Sequence, residues 1–233
     1  MGSVMHGLLM EQIPTEWAET LHAQGLRPYT QQVYFDNRQQ ANTWRLTTLN
    51  TSAYQVMVER LAEYYQKRKI LYLKHHDLEI DFANYQVQKS SYKELADASF
   101  LQAEVARRAK LYFNTPTGFK SDGEYLLYPQ VGQIIKSLLT RWNTFASSLS
   151  LEDEQVLAHL IAYSNINSYR LEMTKFSLEK VRIPAFRGSL EIYTAGPEAL
   201  VRVANLLVRY AEYSGLGIKT ALGMGGIKTL LLK

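Results

Sequence analysis

The same alternation of hydrophobic periods runs through this chain twice, and any fold must satisfy both copies. Residues 6–25 set Leu8, Leu9, Ile13, Trp17, Ala18 and Leu21 on one helical stripe, bent at Pro14 and stopped by Gly25. Two strands follow, "LRPYTQQVYFDN" and "ANTWRLTTLN", joined by a polar turn around Asp36–Gln40. "TSAYQVMVERLAEYYQKRK" reads as an amphipathic helix, with Thr51 or Ser52 as its N-cap and a basic end at Lys67, Arg68 and Lys69. "ILYLKHHDLEIDF" returns to strand.

The second copy is longer. "FLQAEVARRAKLYFNTPTGF" alternates as a strand up to Pro116, and "PQVGQIIKSLLTRWNTFASSL" and "LEDEQVLAHLIAYS" are helical. "NSYRLEMTKFSLEKVRI" and "FRGSLEIYTA" are strands. "GPEALVRVANLLVRYAEYSG" is a helix with Pro197 in its first turn and Gly215 just past its end, and "GIKTLLLK" is a last strand. Two strand-helix-strand-strand-helix-strand patterns imply an α+β chain of two tandem ferredoxin-like units. The expected division is an N-terminal unit over residues 1–95 and a C-terminal unit over 96–233, parted in the polar stretch "KSSYKELADAS". Only five residues precede His6, so the first unit is expected either to lack its opening strand or to draw it from sequence further upstream.

Composition narrows the function classes. Hydrophobic residues at 46% and charged residues at 21% are those of a globular protein. The absence of cysteine excludes a disulfide framework, a zinc–thiolate site and a cysteine nucleophile. No apolar run approaches the roughly 18–20 residues of a membrane helix, and no signal peptide is visible, so a soluble cytoplasmic protein is expected. A net charge of +4 and sixteen tyrosines lean toward a polyanion that offers bases for stacking.

The segment "SGLGIKTALGMGGIKTLLL" sets five of the thirteen glycines within twelve residues, 215–226. A dinucleotide fingerprint would stand between a strand and a following helix, whereas this segment follows a helix and precedes a strand. A Walker A loop needs glycine directly before Lys-Ser/Thr, and here Ile227 intervenes before Lys228. Two readings remain: a helix cap with a glycine-bulged strand, or a loop whose exposed N–H groups meet a phosphate backbone. In the second, Gly215, Gly217, Gly223 and Gly225 admit the ligand, while Lys219, Thr220 and Lys228 add charge and hydroxyl contacts.

"GLGIKTALGMGGI" resembles the C-terminal glycine-rich motif of the RAMP proteins of CRISPR systems, in the form carried by the Cas-six endoribonucleases. "LYFNTPTGF" with "YPQV" is similar to that family's central segment, "IPAFRGSLEIY" to its strand pair, and "MHGLLMEQI" with "LHAQGLRPYT" to its first helix and exit turn. The resemblance implies metal-independent cleavage of CRISPR repeat RNA, in which the ribose 2′-hydroxyl attacks the adjacent phosphate to give a 2′,3′-cyclic phosphate and a 5′-hydroxyl. It implies repeat RNA as partner, with subunits of an effector complex or a second copy as further partners, and no cofactor, metal or membrane. The alternative is a subunit that holds crRNA without cutting it.

The same resemblance nominates residues. His6 stands where many members carry their catalytic histidine, and a histidine can take either proton role near neutrality. His22 matches the histidine of a Tyr-His-Lys trio, but Met10 occupies the tyrosine position and Arg27 falls near the lysine, so Arg27 is a candidate for phosphate stabilisation. His159 is expected in a core or interface, and His75 and His76 on a strand. Arg107, Arg108 and Lys110 form a basic strand able to track phosphates, and Arg182 and Arg187 flank a hairpin that can enter the groove of an RNA stem.

Overall fold

The structure is a computed structural model that describes residues 2–23, 25–37, 39–67, 70–73, 77–178 and 181–232. Two helices, α1 (Gly2–Gln12) and α2 (Thr15–Ala23), open the chain and part at Ile13 and Pro14, where proline removes a helical donor. They lead into an antiparallel hairpin, β1 (Tyr29–Asp36) and β2 (Ala41–Thr48). A continuous helical rod follows: α3 (Thr51–Ala53), a π-helical stretch Tyr54–Glu59, and α4 (Arg60–Gln66). Its N-cap is Asn50, one residue before the expected Thr51 or Ser52, and Asn50 Oδ1 accepts from the Ala53 N–H at 2.8 Å.

The expected single strand after this rod is instead a short hairpin, β3 (Leu71–Leu73) with β4 (Leu78–Ile80). His75 and His76 lie outside the described residues, as do Arg68 and Lys69. A second departure is α5 (Tyr92–Phe100), in a stretch read from sequence as a polar boundary and the start of a strand. A capping box starts it: Ser91 accepts from the Glu94 N–H, and the Glu94 carboxylate accepts from the Ser91 N–H. These hydrogen bonds hold the Glu94 carboxyl below the usual range. Residues 95 and 96, where the division into units was expected, fall inside this helix.

The second unit realises the full pattern. Strands β5 (Arg108–Thr117), β8 (Ser164–Leu178), β9 (Val181–Thr194) and β10 (Ile227–Leu232) form one antiparallel sheet in the order β10-β5-β9-β8, the ferredoxin-like arrangement. Strand β5 runs through Pro116, with its register against β9 shifted between Phe113 and Thr117. A small hairpin, β6 (Phe119–Ser121) with β7 (Glu124–Leu126), leaves its end. Helices α6 (Val131–Phe145) and α8 (Glu198–Ser214) cover one sheet face, and Ala109, Leu111, Phe113, Leu190 and Ile192 point into that core. Helix α7 (Glu154–Tyr163) is an addition that buries Leu160 and leaves His159 exposed, which removes the core from the two expected positions, core or interface. Among the described residues no helix is long and apolar enough to cross a membrane.

Three rings mark the centre of the larger core. Trp142 meets Tyr210 edge-on at 5.2 Å and Tyr92 at 5.4 Å, and the Tyr92 hydroxyl donates to the Leu49 carbonyl at 2.6 Å. Burial pushes the Tyr92 phenol from 10.0 up to about 12, and raises Tyr210 in the same direction. Below the ordinary value the folded and unfolded states are equally protonated, so the contribution is intact. As pH climbs from about 10 toward about 12 the unfolded chain releases protons that the fold retains, and stability is lost. The denaturation midpoint should therefore fall with pH across that window, and Tyr92→Phe should flatten the fall.

Candidate active site

Helix α1 buries Met5, Leu8 and Leu9, which leaves His6 half-buried at the margin of that apolar face. The loop leaving α2 brings Arg27 to it, and the first residue of β1, Tyr29, lies beneath it fully buried. Arg27 Nη1 stands 3.4 Å from His6 Nε2, and Tyr29 Oη stands 3.1 Å from His6 Nδ1. The two rings lie almost parallel, 13° apart with centroids at 6.2 Å.

The donors around it assign the imidazole. A guanidinium can only donate, so Nε2 must present its lone pair, and Nδ1–H then donates to the Tyr29 oxygen. Burial drives the Tyr29 phenol up to about 12 against the opposing influence of the Arg27 cation. Tyr29 thus stays protonated at neutral pH and orients the ring rather than exchanging protons. The result is an imidazole held at both ring nitrogens, with Nε2 beside the Arg27 guanidinium. Sequence reasoning found His6 and Arg27 but missed Tyr29, twenty-three residues away on a strand.

His22 lies in α2, with its side chain outside the described residues. Its helix ends four residues before Arg27.

The glycine segment sits against the start of α1. A Cβ on Gly223 would come 2.7 Å from the Gly2 Cα, and one on Gly2 would come 2.7 Å from the Leu222 carbonyl. Gln31, buried in β1, ties the pieces together: its Nε2 donates to the carbonyls of Gly2 and Ala221, and its Oε1 accepts from Trp44 Nε1 at 2.8 Å. Gln31 was also invisible to the sequence reading.

Most of the segment's N–H groups are turned to partners within the protein rather than offered to a phosphate. The N–H groups of Gly215, Leu216, Ile218, Gly223, Met224 and Gly225 donate to carbonyls of the protein, and those of Gly217 and Gly226 to the hydroxyls of Ser137 and Thr115. Gly215, Gly223, Gly225 and Gly226 are buried. Thr220 is buried as well, its hydroxyl accepting from Arg141 Nη2 at 2.9 Å. What the segment offers to solvent is Lys219, in the left-handed region at φ +52°, and Lys228.

Residues 111–227 match the family model described as CRISPR-associated endoribonuclease Cas6. A relative of that name from Streptococcus thermophilus is 34% identical over 96% of this chain and 88% of its own length. The chain belongs to the Cas6 family of CRISPR-associated endoribonucleases. A Cas6 from Mycobacterium tuberculosis is 26% identical over 98% of this chain and 71% of its own length. Among solved structures, a Cas6 product complex shares the fold at a TM-score of 0.79 and 23% identity, covering 98% of this chain and 93% of that one. A Cas6-related protein from Pyrococcus furiosus does so at 0.63 and 13%, covering 100% and 91%.

In this Cas6-family chain the remaining basic candidates are spread over the second unit. Arg107 is exposed and donates to the Gly196 carbonyl at 3.2 Å, and Arg108 is half-exposed with a loose 3.8 Å contact to Glu191. Arg182 and Arg187 are exposed on β9, in the long hairpin with β8. The distal part of that hairpin rests Phe176, Ile183 and Ala185 on Met224 of the glycine segment.

The contact between Gly223 and α1 yields a direct test. Gly223→Ala adds a Cβ against the Gly2 backbone at φ +102°, and should cost roughly 1–2 kcal/mol of strain or more while displacing the helix that carries His6. Gly7→Ala, on the same helix with open space around it, should stabilise by roughly 0.5–1 kcal/mol. Denaturant titration of both variants checks the pair.

Proposed function

We propose that the chain cleaves CRISPR repeat RNA by attack of a ribose 2′-hydroxyl on the adjacent phosphate, without a metal ion. The observation that carries this reading is the half-buried His6 imidazole held between Arg27 at Nε2 and Tyr29 at Nδ1. Nε2 takes the 2′-hydroxyl proton as the 2′-oxygen bonds to phosphorus. Once protonated it repels Arg27, whose guanidinium is then free to turn to the phosphorane-like oxygens, where negative charge accumulates. The P–O5′ bond breaks, the 5′-oxygen takes up a proton, and the products carry a 2′,3′-cyclic phosphate and a 5′-hydroxyl. The family assignment and the RNA product and substrate-mimic complexes among structural neighbours support repeat RNA as substrate. Arg182, Arg187 and Lys219 are the exposed cations best placed to hold its phosphates, on the hairpin and segment that contact each other and α1.

Cleavage of repeat RNA in EDTA tests the reading. Wild type should cut, and His6→Ala should slow cutting by roughly 10²–10⁴-fold with binding intact. A substrate with 2′-deoxyribose at the scissile nucleotide should not be cut. Loss of activity in His22→Ala but not in His6→Ala would move the chemistry to the end of α2 and sink the assignment.

Tyr29 has its own expected result. Tyr29→Phe keeps the parallel ring and removes only the oxygen that accepts from Nδ1, so kcat should fall about five- to tenfold with little change in KM. The acidic limb of the pH–rate profile should also shift, which a loss of stability alone would not produce.

A further inference from the structure

Helix α6 turns Lys136 to solvent and Arg141 into the interior. Arg141 is 5% exposed, on a helix that also buries Leu138, Leu139 and Trp142. Among the described residues no ion pair includes it, and its Nη1 finds no hydrogen-bond partner. Burial pulls the guanidinium below its ordinary pKa, against the influence of the neighbouring Tyr210. The hydrogen bond that it does make goes to a neutral group, from Nη2 to the Thr220 hydroxyl at 2.9 Å.

A buried charge without a carboxylate costs free energy, and a methionine of similar reach would fill the same space without that cost. Stability does not account for an arginine here, but the contacts around it do. Ser137 stands one turn earlier on the same face of α6, and its Oγ accepts from the Gly217 N–H at 3.1 Å. The helix thus grips the glycine segment at two points, and Arg141 holds the first residue of the single-turn helix Thr220–Leu222. That turn meets both units. The Thr220 side chain faces α6, while the carbonyl of the next residue, Ala221, accepts from Gln31 Nε2 at 2.9 Å. The carbonyl after that, of Leu222, lies where a Cβ on Gly2 would come to 2.7 Å. Gln31 Nε2 also donates to the Gly2 carbonyl at 3.2 Å, and His6 lies about one helical turn further along α1. Apolar packing is non-directional and leaves such a turn free to rotate, whereas a hydrogen bond from a cation is strong and directional.

We propose that Arg141 is a positioning residue for RNA cleavage, which fixes Thr220 and through it the turn on which α1 rests and the place of His6. It acts from the core of the second unit without touching RNA. The proposal rests on the reading of His6 as the group that takes the 2′-hydroxyl proton. A shift of about 1 Å at such a group costs up to roughly 10²-fold in rate.

Single-turnover cleavage of repeat RNA tests this on the full chain, with affinity measured separately on the uncleavable 2′-deoxy substrate. Arg141→Met and Thr220→Val should each slow cleavage about ten- to a hundredfold while affinity stays within about twofold. The denaturation midpoint of Arg141→Met should stay at or above wild type. Thr220→Ser, which keeps the hydroxyl, should restore most of the rate. Arg141→Met combined with Gln31→Met should be hardly slower than the slower single variant, because both act through the seat of α1. Combined with Arg182→Gln, the effects on kcat/KM should multiply. The ring-nitrogen NMR signals of His6, read without substrate, should move in Arg141→Met.

Wild-type rates in both Arg141→Met and Thr220→Val would overturn the proposal. So would weakened affinity at an unchanged rate, which would make Arg141 an RNA contact, or a loss of rate that only follows the unfolded fraction in both variants. Multiplied effects with Gln31→Met would break the route and overturn it too. Cleavage at full rate by His6→Ala would instead remove the reading beneath it, whatever the His6 ring signals do.

Discussion

Between Gly215 and Gly226 the backbone is packed against other backbone, and nothing larger than hydrogen fits at the contacts. A Cβ would stand 2.0 Å from the Leu216 carbonyl at Gly225, 2.2 Å from the Gly118 carbonyl at Gly217, and 2.7 Å from the Gly2 Cα at Gly223. The segment between them feeds every core of the molecule. Leu216 and Ile227 belong to the large core under the second sheet, Ala221 to the core of the first unit, and Met224 to the small cluster beneath the long hairpin. Close backbone approach is therefore what joins the units, and glycine is the only residue that permits it.

That joint also places the chemistry. The start of α1 lies on Gly223, Gln31 ties Gly2 and Ala221 to β1, and β1 begins with Tyr29, on which His6 rests. On its other side the same segment supports the hairpin that displays Arg182 and Arg187. The helix that carries His6 and the basic hairpin are thus held from one piece of buried backbone. Most of its N–H groups donate to partners within the protein, which fixes its path between the cores. In the proposed reaction the glycines act by positioning, and contact with phosphate falls to side chains.

Much of the architecture was legible as periodicity. The stripes of α6 and α8 and the alternation of β5, β8 and β9 are long enough to declare helix or strand and to show which face is inward. Short or polar elements were not. Helix α5 has a weak apolar stripe and depends on its capping box and on Tyr92 reaching Trp142, and β3 and β4 are each only three residues long. His159 was read as a core or interface residue because its neighbours are apolar, yet α7 is an added helix that turns Leu160 fully inward and leaves His159 exposed.

Sequence alone determined the class of fold, the placement of His6 on the first helix, and the need for bare backbone near the C-terminus, because these are local properties of period, residue type and spacing; the helix begins at Gly2, so His6 lies in its second turn and not at its start. Tertiary structure decided what each of them does. It brought Tyr29 to Nδ1 and Arg27 to Nε2 across more than twenty residues, and so chose the tautomer of His6. It gave most of the glycine segment's N–H groups partners from within, and so made the segment a joint between the cores. It also brought Arg141 of α6 to Thr220, a pairing that neither element encodes alone. Contacts between distant residues depend on how whole elements meet, and a linear pattern carries only the faces they meet with.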